Sequence, residues 1–299
     1  MSILVVGSIA FDTVETPHGT ANDSLGGSAL YFSAAASFFS NVNVVGVVGS
    51  DFDMSRISFL KKRNVNFEGL YVESGETFRW GGRYHQDMNR RDTLYTYLNV
   101  FEDFQPRIPA QYKDAEYVFL ANIDPELQYQ VLEQINKPKL VVLDTMNFWI
   151  SGKRKILEEV IKKCDIIILN DEETRELTDE LNLIKAVRKI KDMGPKTLVI
   201  KKGEHGALLY NDDKFFFTPA YPIEKVIDPT GAGDSFAGGF LGYIAKSGNH
   251  SDETLRKALI YGSSIASYNV EDFSFKSLIS LTQEQLDYRY GEFESLTRF

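Results

Sequence analysis

The chain has 299 residues, of which 43% are hydrophobic and 25% are charged, the composition of a soluble globular protein. Its formal net charge of −9 argues against nucleic acid or an anionic membrane as the main partner, because both select for clustered Lys and Arg. The opening MSILVVGSIAFD has no basic segment before its short apolar run, so we expect neither a signal peptide nor a membrane span there. Cys164 is the single cysteine, which favours a reducing, cytoplasmic location.

Short apolar runs recur between helical stretches along much of the chain. The apolar runs are typical of strands buried on both faces, and they occupy residues 3–7, 42–49, 116–121, 139–144, 165–169 and 197–201. Helices are predicted between them, at 28–39, 53–63, 125–135, 151–163, 171–178 and 183–193. Such alternation indicates right-handed βαβ units. The expected fold class is therefore α/β, with a mostly parallel sheet sandwiched by helices.

The pattern changes after residue 201. Residues 206–211 and 214–219 are predicted to form an antiparallel pair. Three helices are predicted after this pair, at 232–247, 252–269 and 282–294. Residues 9–20 and 68–100 alternate like exposed strands, and we interpret them as one small β-sheet, a lid over the main domain. Since no repeat or linker divides the chain, we expect residues 1–299 to form a single domain.

The stretch VIDPTGAGDSFAGGF, residues 226–240, combines a glycine turn with a carboxylate at the start of a predicted helix. Small residues let the backbone approach a ligand, and the first N–H groups of a helix bind anions. Phosphoryl transfer needs such stabilisation of negative charge, together with a base for the attacking hydroxyl. The alternative is a tight turn in which Asp234 only caps the helix. That alternative explains poorly why small residues continue into the helix, at a cost in helix propensity.

Four segments together resemble the ribokinase/PfkB family of sugar and nucleoside kinases. DPTGAGDSFAGGF (228–240) is similar to the C-terminal signature of that family, and LGGSALYFSAAASFF (25–39) is similar to its N-terminal glycine-pair signature. NDEE (170–173) and IKKGEHGALL (200–209) resemble two elements of its nucleotide site. The resemblance implies a ribokinase-like fold, in which a β lid covers the substrate.

The resemblance also implies catalytic roles. Asp234 would be the base that activates the substrate hydroxyl. Gly231, Ala232 and Gly233 would form the anion hole for the γ-phosphate. ATP and magnesium are the implied cofactors.

For the nucleotide, the resemblance implies contacts from Asn170, Gly203 and Thr230. Glu173 would hold magnesium through water, although a single Glu could equally be an exposed helix residue. Lys201 and Lys202 stand where the family usually has Thr and an apolar residue. Either lysine could reach a phosphate or lie on the surface.

On the substrate side, the resemblance implies that Asp12 grips sugar hydroxyls, since one carboxylate accepts two hydroxyl protons. A solvated turn is the alternative for Asp12. Gly26 and Gly27 would let the backbone touch the substrate, or they could simply start the helix. Tyr31 takes the place at which the family often has a substrate-binding Asn, so Tyr31 becomes a candidate substrate contact. The substrate stays open between sugars and nucleosides.

Two further features allow more than one interpretation. The lid sequence FRWGGRYH contains Arg79, Trp80 and Arg83, which could read a phosphate or a base, or could form a homodimer contact through the lid. Asp228 lies where the family often holds a monovalent cation such as potassium. It could instead cap the turn by accepting a backbone N–H from Thr230 or Gly231.

The function that this sequence favours is an ATP-dependent kinase acting on a hydroxyl, preferentially a hydroxymethyl, of a sugar or nucleoside. A dehydrogenase would need G-x-G-x-x-G after the first strand, and a P-loop kinase would need G-x-x-x-x-G-K-[ST]; neither is present. A non-catalytic nucleotide- or sugar-binding regulator of the same fold is the alternative. Its usual mark would be loss of the base, and Asp234 is present.

Overall fold

The computed structural model describes residues 2–298. The strands are β1 (Ser2–Val6), β2 (Ala10–Thr16), β3 (Gly19–Gly26), β4 (Asn41–Gly49), β5 (Val65–Glu73), β6 (Phe78–Tyr84), β7 (Arg91–Tyr97), β8 (Tyr117–Leu120), β9 (Leu140–Asp144), β10 (Ile166–Asn170), β11 (Thr197–Lys201), β12 (Ala207–Asn211) and β13 (Lys214–Thr218). The helices are α1 (Ser28–Ala36), α2 (Ser58–Lys61), α3 (Pro125–Gln134), α4 (Asn147–Gly152), α5 (Arg154–Ile161), α6 (Asp171–Thr178), α7 (Leu183–Lys191), α8 (Ala232–Ser247), α9 (Asp252–Asn269), α10 (Lys276–Ser280) and α11 (Gln283–Thr297).

Nine of the described strands form one large sheet, in the order β13-β12-β11-β10-β9-β8-β1-β4-β5. The pairs from β11 to β5 are parallel, and β12 and β13 continue the sheet as the predicted antiparallel pair. Each of the six apolar runs identified in the sequence forms a strand of this sheet. The expected α/β architecture is confirmed.

Helices cover both faces of the large sheet. Alternate residues of β1 enter opposite cores, with Ile3 and Val5 in one and Leu4 and Val6 in the other. The first core is completed by α1, α8 and α9, and the second by α3, α5 and α7. Such alternation explains why the strands are apolar on consecutive residues.

The small residues of α8 let this helix lie close to α1. A Cβ added to Gly238 would fall 2.3 Å from the carbonyl oxygen of Phe32, and one on Gly242 would fall 3.0 Å from the Cα of Ala36. Both distances are too short for ordinary packing. These glycines therefore serve helix packing, and they set the direction in which α8 points its first turn.

A separate four-stranded sheet has the order β3-β2-β6-β7. The predicted lid bounds of 9–20 and 68–100 were partly wrong. Residues 68–73 belong to β5, which pairs with β4 at the edge of the large sheet, and the small sheet instead includes β3 up to Gly26. An edge strand is covered less completely than a central one, and only two of the nine residues of β5 are buried, so this strand resembles an exposed lid strand.

Two predicted helices are also divided. The stretch 53–63 contains a 3-10 turn at Met54–Ile57 before α2. The stretch predicted at 151–163 is the end of α4 followed by α5, separated at Lys153, whose backbone is not helical. Among residues 2–298, no helix has both the length and the apolar character that crossing a membrane requires.

Candidate active site

The turn before α8 has the geometry expected of an anion site. Gly231 precedes the helix with a φ of 75°, a left-handed conformation that favours glycine, and the helix begins at Ala232. A Cβ on Gly231 would also lie 2.3 Å from the ring of Tyr31. Asp234 lies in the first turn of the helix. The sequence GAGD therefore places helix N–H groups and a carboxylate side by side, although the N–H of Ala232 already donates to the Pro229 carbonyl at 3.1 Å.

The pKa of the Asp234 carboxyl is raised to near neutral pH. Burial raises its pKa to about 7, and the negative charge of Asp144 raises it further, while the nearby Lys201 cation opposes the increase. A general base works best when its pKa lies close to the operating pH. Asp234 thus has the protonation behaviour that activation of a hydroxyl requires.

The acidic side chain of Asp144 and the lysine Lys201 lie close to Asp234, at the carboxyl edge of the large sheet. Asp144, Asn170 and Lys201 are the last residues of β9, β10 and β11. Lys201 Nζ lies 3.5 Å from Asp144 Oδ1, and the two side chains are 19% and 7% exposed. The surface alternative for Lys201 was therefore wrong. Sequence reasoning missed Asp144, although it ends an apolar run just as Asn170 ends the next one.

Asn170 and Glu173 form a capping box at the start of α6. The side chain of Asn170 accepts the N–H of Glu173 at 2.7 Å, and Glu173 Oε2 accepts the N–H of Asn170 at 2.7 Å. Burial raises the pKa of Glu173 to about 7, with Lys201 opposing and Asp144 adding to the increase. Glu173 is therefore a buried carboxyl within the site and not an exposed helix residue.

Asp12, on β2 of the small sheet, lies close to Asp234 and Asp228. It is 6% exposed, so the solvated-turn alternative was wrong. Burial raises its pKa to about 8, and the charges of Asp228 and Asp234 add to the effect. A Cβ on Gly26 would fall 1.9 Å from Asp12 Oδ2, which explains the need for glycine opposite this carboxylate. Gly27, with a φ of 98°, immediately precedes α1.

Tyr31 lies beneath the glycine turn. Its ring is 2% exposed and stacks on Phe275 with a centroid distance of 4.2 Å. The hydroxyl is close to Ser274, Asp228 and Asp12, and burial raises its pKa. The ring is therefore a packing element of the turn, while a substrate contact through its hydroxyl stays a prediction.

The lid presents a different set of side chains to the site than the sequence suggested. Trp80 pairs in register with Asp12, so both side chains point to the same face of the small sheet. Arg91 lies over the Trp80 ring at 4.8 Å, and its positive charge lowers the pKa of Asp12. The sequence did not identify Arg91 as a site residue. Its place on this inner face follows only from the register of β6 and β7, in which Arg91 pairs with Tyr84.

Arg79 and Arg83 lie on the other face of the lid. Arg79 pairs with Asp51 at 3.0 Å and also with Asp23, while Arg83 Nε donates to Glu15 Oε2 at 2.6 Å. Arg79 therefore joins the lid to the loop after β4, and Arg83 pairs within the lid. Of the three lid residues considered from the sequence, Trp80 alone faces the site.

Thr230 connects the turn to the lid. Its hydroxyl lies 3.3 Å from the Tyr84 hydroxyl, and its carbonyl accepts from Asn269 Nδ2 at 2.8 Å. Asp228 accepts the Thr230 N–H at 2.9 Å and the Ser274 N–H at 3.2 Å. The capping role considered for Asp228 is thus present. Nucleotide contacts from Thr230 stay a prediction.

Gly203 also lies close to the lid. Its φ is 53°, and a Cβ there would lie 3.3 Å from Asn89 Oδ1 in the loop after β6. A nucleotide contact from this position stays a prediction. Within residues 2–298, no group of three or more His, Cys, Asp or Glu is arranged to hold a metal ion alone. Asp144 Oδ1 is buried without a hydrogen bond, and Asp144 lies near Glu173. Two carboxylates are oxygen ligands that suit a cation shared with phosphate oxygens.

Comparisons with known proteins agree with this geometry. The profile of the pfkB family carbohydrate kinases matches residues 2–279. The cytidine kinase of Thermococcus kodakarensis is 30% identical over 266 residues, which cover 87% of this chain and 94% of that protein. The solved nucleoside kinase of Methanocaldococcus jannaschii, an archaeal member of the ribokinase family, superposes with a TM-score of 0.77 at 23% identity, covering 97% of this chain and 98% of that one.

A structure of a putative ribokinase II from E. coli, in complex with ATP and Mg²⁺, has a TM-score of 0.79 at 17% identity and covers 97% and 99% of the two chains. The fold is thus ribokinase-like throughout. Family members are kinases whose acceptor is an alcohol, which agrees with a carboxyl of near-neutral pKa at an anion-binding turn. The chain belongs to the pfkB family of carbohydrate kinases.

Proposed function

We propose that this enzyme is an ATP- and magnesium-dependent nucleoside kinase that phosphorylates the 5′-hydroxymethyl group. The observation that carries the proposal is that Asp12 lies close enough to Asp234 for their charges to act on each other, with Arg91, which lies over the Trp80 ring, also near Asp12. Asp12 suits the vicinal hydroxyls of a ribose, because a carboxylate accepts two hydroxyl protons. A ribose bound there would direct its 5′-hydroxyl towards Asp234.

The chemical step follows from the positions of these groups. Asp234 accepts the proton of the substrate hydroxyl as its oxygen attacks the γ-phosphorus, and the bond to the ADP oxygen breaks. The N–H group of Gly233 would donate to the phosphoryl oxygens as charge develops there, and that of Ala232 would join it by exchanging its bond to the Pro229 carbonyl. Glu173, through water, and Asp144 are the side chains that would hold magnesium, which would supply positive charge beside the phosphates.

The inner face of the lid supports a nucleoside over a simple sugar. An indole ring offers a flat surface for stacking a base, and a guanidinium supplies donors for its carbonyl oxygens. Trp80 and Arg91 provide both beside Asp12. The T. kodakarensis relative is named a cytidine kinase, which makes a pyrimidine nucleoside the first substrate to assay.

Lid closure and dimerisation are further parts of the proposal. The Tyr84–Thr230 contact joins the lid to the catalytic turn, so substrate-driven ordering of the lid would exclude water from the phosphates. Tyr97 and Leu94 on β7 are exposed, at 56% and 42%, and they suit a homodimer through the lid. Hydrogen exchange with and without substrate, at two protein concentrations, separates the two effects.

We also propose activation by a monovalent cation such as potassium. Both carboxylate oxygens of Asp228 already accept backbone N–H groups, yet each keeps a lone pair for a cation. An ion there would fix the glycine turn without touching ATP. Rates in potassium, sodium and tetramethylammonium chloride at constant ionic strength test this. Equal rates in all three would leave Asp228 with its capping role alone.

The decisive experiment measures ADP release with a panel of nucleosides and sugars. Nucleosides should give the highest kcat/KM, and Trp80→Ala should lower kcat/KM for the best nucleoside more than for ribose. Tyr288→Ala, which removes an exposed aromatic ring on α11 outside the lid, is the matched control. Nucleoside binding without any turnover would favour a regulator instead. Turnover only of sugars, unaffected by Trp80→Ala, would refute the nucleoside assignment.

A further inference from the structure

We propose that Lys201 is the cation that binds the transferring γ-phosphate, and that Asp144 holds it in place until the nucleotide arrives. The inference rests on the proposed kinase function but does not depend on which alcohol is the acceptor. It assigns a binding role to a residue that departs from the usual family pattern, in which Thr stands at this position.

The position of Lys201 is the first argument. A Cβ on Gly233 would lie 2.9 Å from Lys201 Nζ, so the ammonium group lies against the backbone of the anion-binding turn. A phosphoryl group bound by the N–H groups of this turn would therefore lie within reach of the ammonium. Because Gly233 has no side chain, it leaves room for the ammonium group of Lys201.

The looseness of the ion pair is the second argument. A strong, hydrogen-bonded ion pair has an N–O distance of about 2.8 Å, whereas Lys201 and Asp144 are 3.5 Å apart. Asp144 Oδ1 is also buried without another hydrogen bond among the described residues. A structural salt bridge in this setting would be shorter and better satisfied. A loose pair lets the ammonium shift towards a phosphate.

The surrounding charges keep this lysine protonated. A lysine ammonium is protonated at neutral pH in ordinary surroundings, and Lys201 Nζ lies 3.5 Å from the acidic side chain of Asp144. The lysine is therefore a donor at working pH and not a proton acceptor. During transfer the hydroxyl proton goes to Asp234, and Lys201 keeps its own protons while donating to the non-bridging oxygens of the phosphoryl group.

A binding experiment tests the proposal without any acceptor. With magnesium present, calorimetry compares the affinities for ADP and for a non-hydrolysable ATP analogue in the wild type and in Lys201→Thr and Lys201→Gln. The preference for the analogue over ADP should fall roughly 10- to 100-fold in both neutral variants, the value of one lost charge-assisted hydrogen bond. Lys201→Arg should keep most of this preference. Lys196→Thr, at the opposite, exposed end of β11, is the charge-matched control.

A pH profile gives an independent readout. Because Lys201 lowers the pKa of Asp234, the acidic limb of kcat/KM should move to higher pH in the neutral variants. A purely structural lysine would change folding stability but neither the ADP preference nor this limb. An unchanged preference in both folded neutral variants would overturn the proposal. The preference for the analogue over ADP concerns the nucleotide alone, so it stays independent of the acceptor panel.

Discussion

The ring of Tyr31 lies flat beneath Gly231, so near that a single added Cβ would fall 2.3 Å from the ring. Phe275 stacks on the other side of that ring, at 4.2 Å. The turn that precedes Asp234 thus rests on two buried aromatic side chains. Rigid support of this kind keeps the N–H groups aimed at one point, which electrostatic stabilisation of a transition state requires.

This contact makes Gly231→Ala a sensitive test of the turn. The variant should lose most of its activity, because alanine is strained at a φ of 75° and its Cβ would displace Tyr31. Activity assays and thermal unfolding should show a loss of kcat with a destabilisation of about 1–3 kcal/mol. Gly291→Ala, in the exposed part of α11 with open space around it, should stay active and gain up to about 1 kcal/mol. Wild-type kcat in Gly231→Ala would contradict this account.

Asp234→Asn should bind ATP normally but turn over about a hundredfold more slowly or worse, since the amide cannot accept the hydroxyl proton. In the wild type, the ionised form is the base, so kcat/KM should fall as the pH drops below about 7, the pKa to which burial raises this carboxyl. Stopped assays across pH 5–9 measure the limb. Asp252→Asn, a partly exposed first-turn aspartate on α9, is the control. A limb near the ordinary carboxyl pKa would remove Asp234 from this role.

Much of the fold could be predicted from the sequence, because strands buried on both faces produce continuous apolar runs. β1, β9 and β10 are examples of such strands. The glycine turn before α8 was also predicted, from the sequence of the turn itself. The lid was harder to predict. β3 is polar and largely exposed, so no hydrophobic periodicity marks it, whereas β5 is mostly not buried although it belongs to the large sheet.

The site was predictable only where local chemistry identified it. Asp234 and Glu173 lie in motifs that predict a turn or the start of a helix. Asp144, Lys201 and Arg91 gain their meaning from strand order and register, which bring separate segments together across the sheet. An isolated Asp or Arg at the end of a strand carries no sign of those neighbours.

Glu173→Gln should raise the magnesium concentration needed for half-maximal rate. Glutamine can still accept the Asn170 N–H in the capping box, so the helix start should survive, while the charge that attracts the cation is lost. Magnesium titrations of initial rate measure the change, which should be several-fold or more. The exposed neighbour Glu172→Gln is the control. An unchanged titration curve would show that Glu173 acts through helix capping alone.

Asp12→Asn should raise the KM for the acceptor and, at the higher pH, raise the free energy of unfolding relative to the wild type. The folded protein holds the Asp12 proton up to a pKa of about 8, whereas the unfolded chain releases it near 3.8. The folded state thus binds more protons between these values, and this carboxyl makes stability fall as the pH rises through that window, by up to about 1.4 kcal/mol per pH unit. Asparagine carries no such charge and removes that slope.

Thermal or urea unfolding of the substrate-free protein at pH 5 and at pH 8 measures the change in stability. The stability of Asp12→Asn relative to the wild type should increase from the lower to the higher pH, because ionising a buried carboxyl near Asp228 and Asp234 is costly. The same variant should have a KM for the acceptor at least tenfold higher, since the amide accepts fewer hydroxyl protons. Asp103→Asn, on an exposed loop, should show neither effect. A pH-independent difference would mean that Asp12 reaches solvent in the substrate-free enzyme.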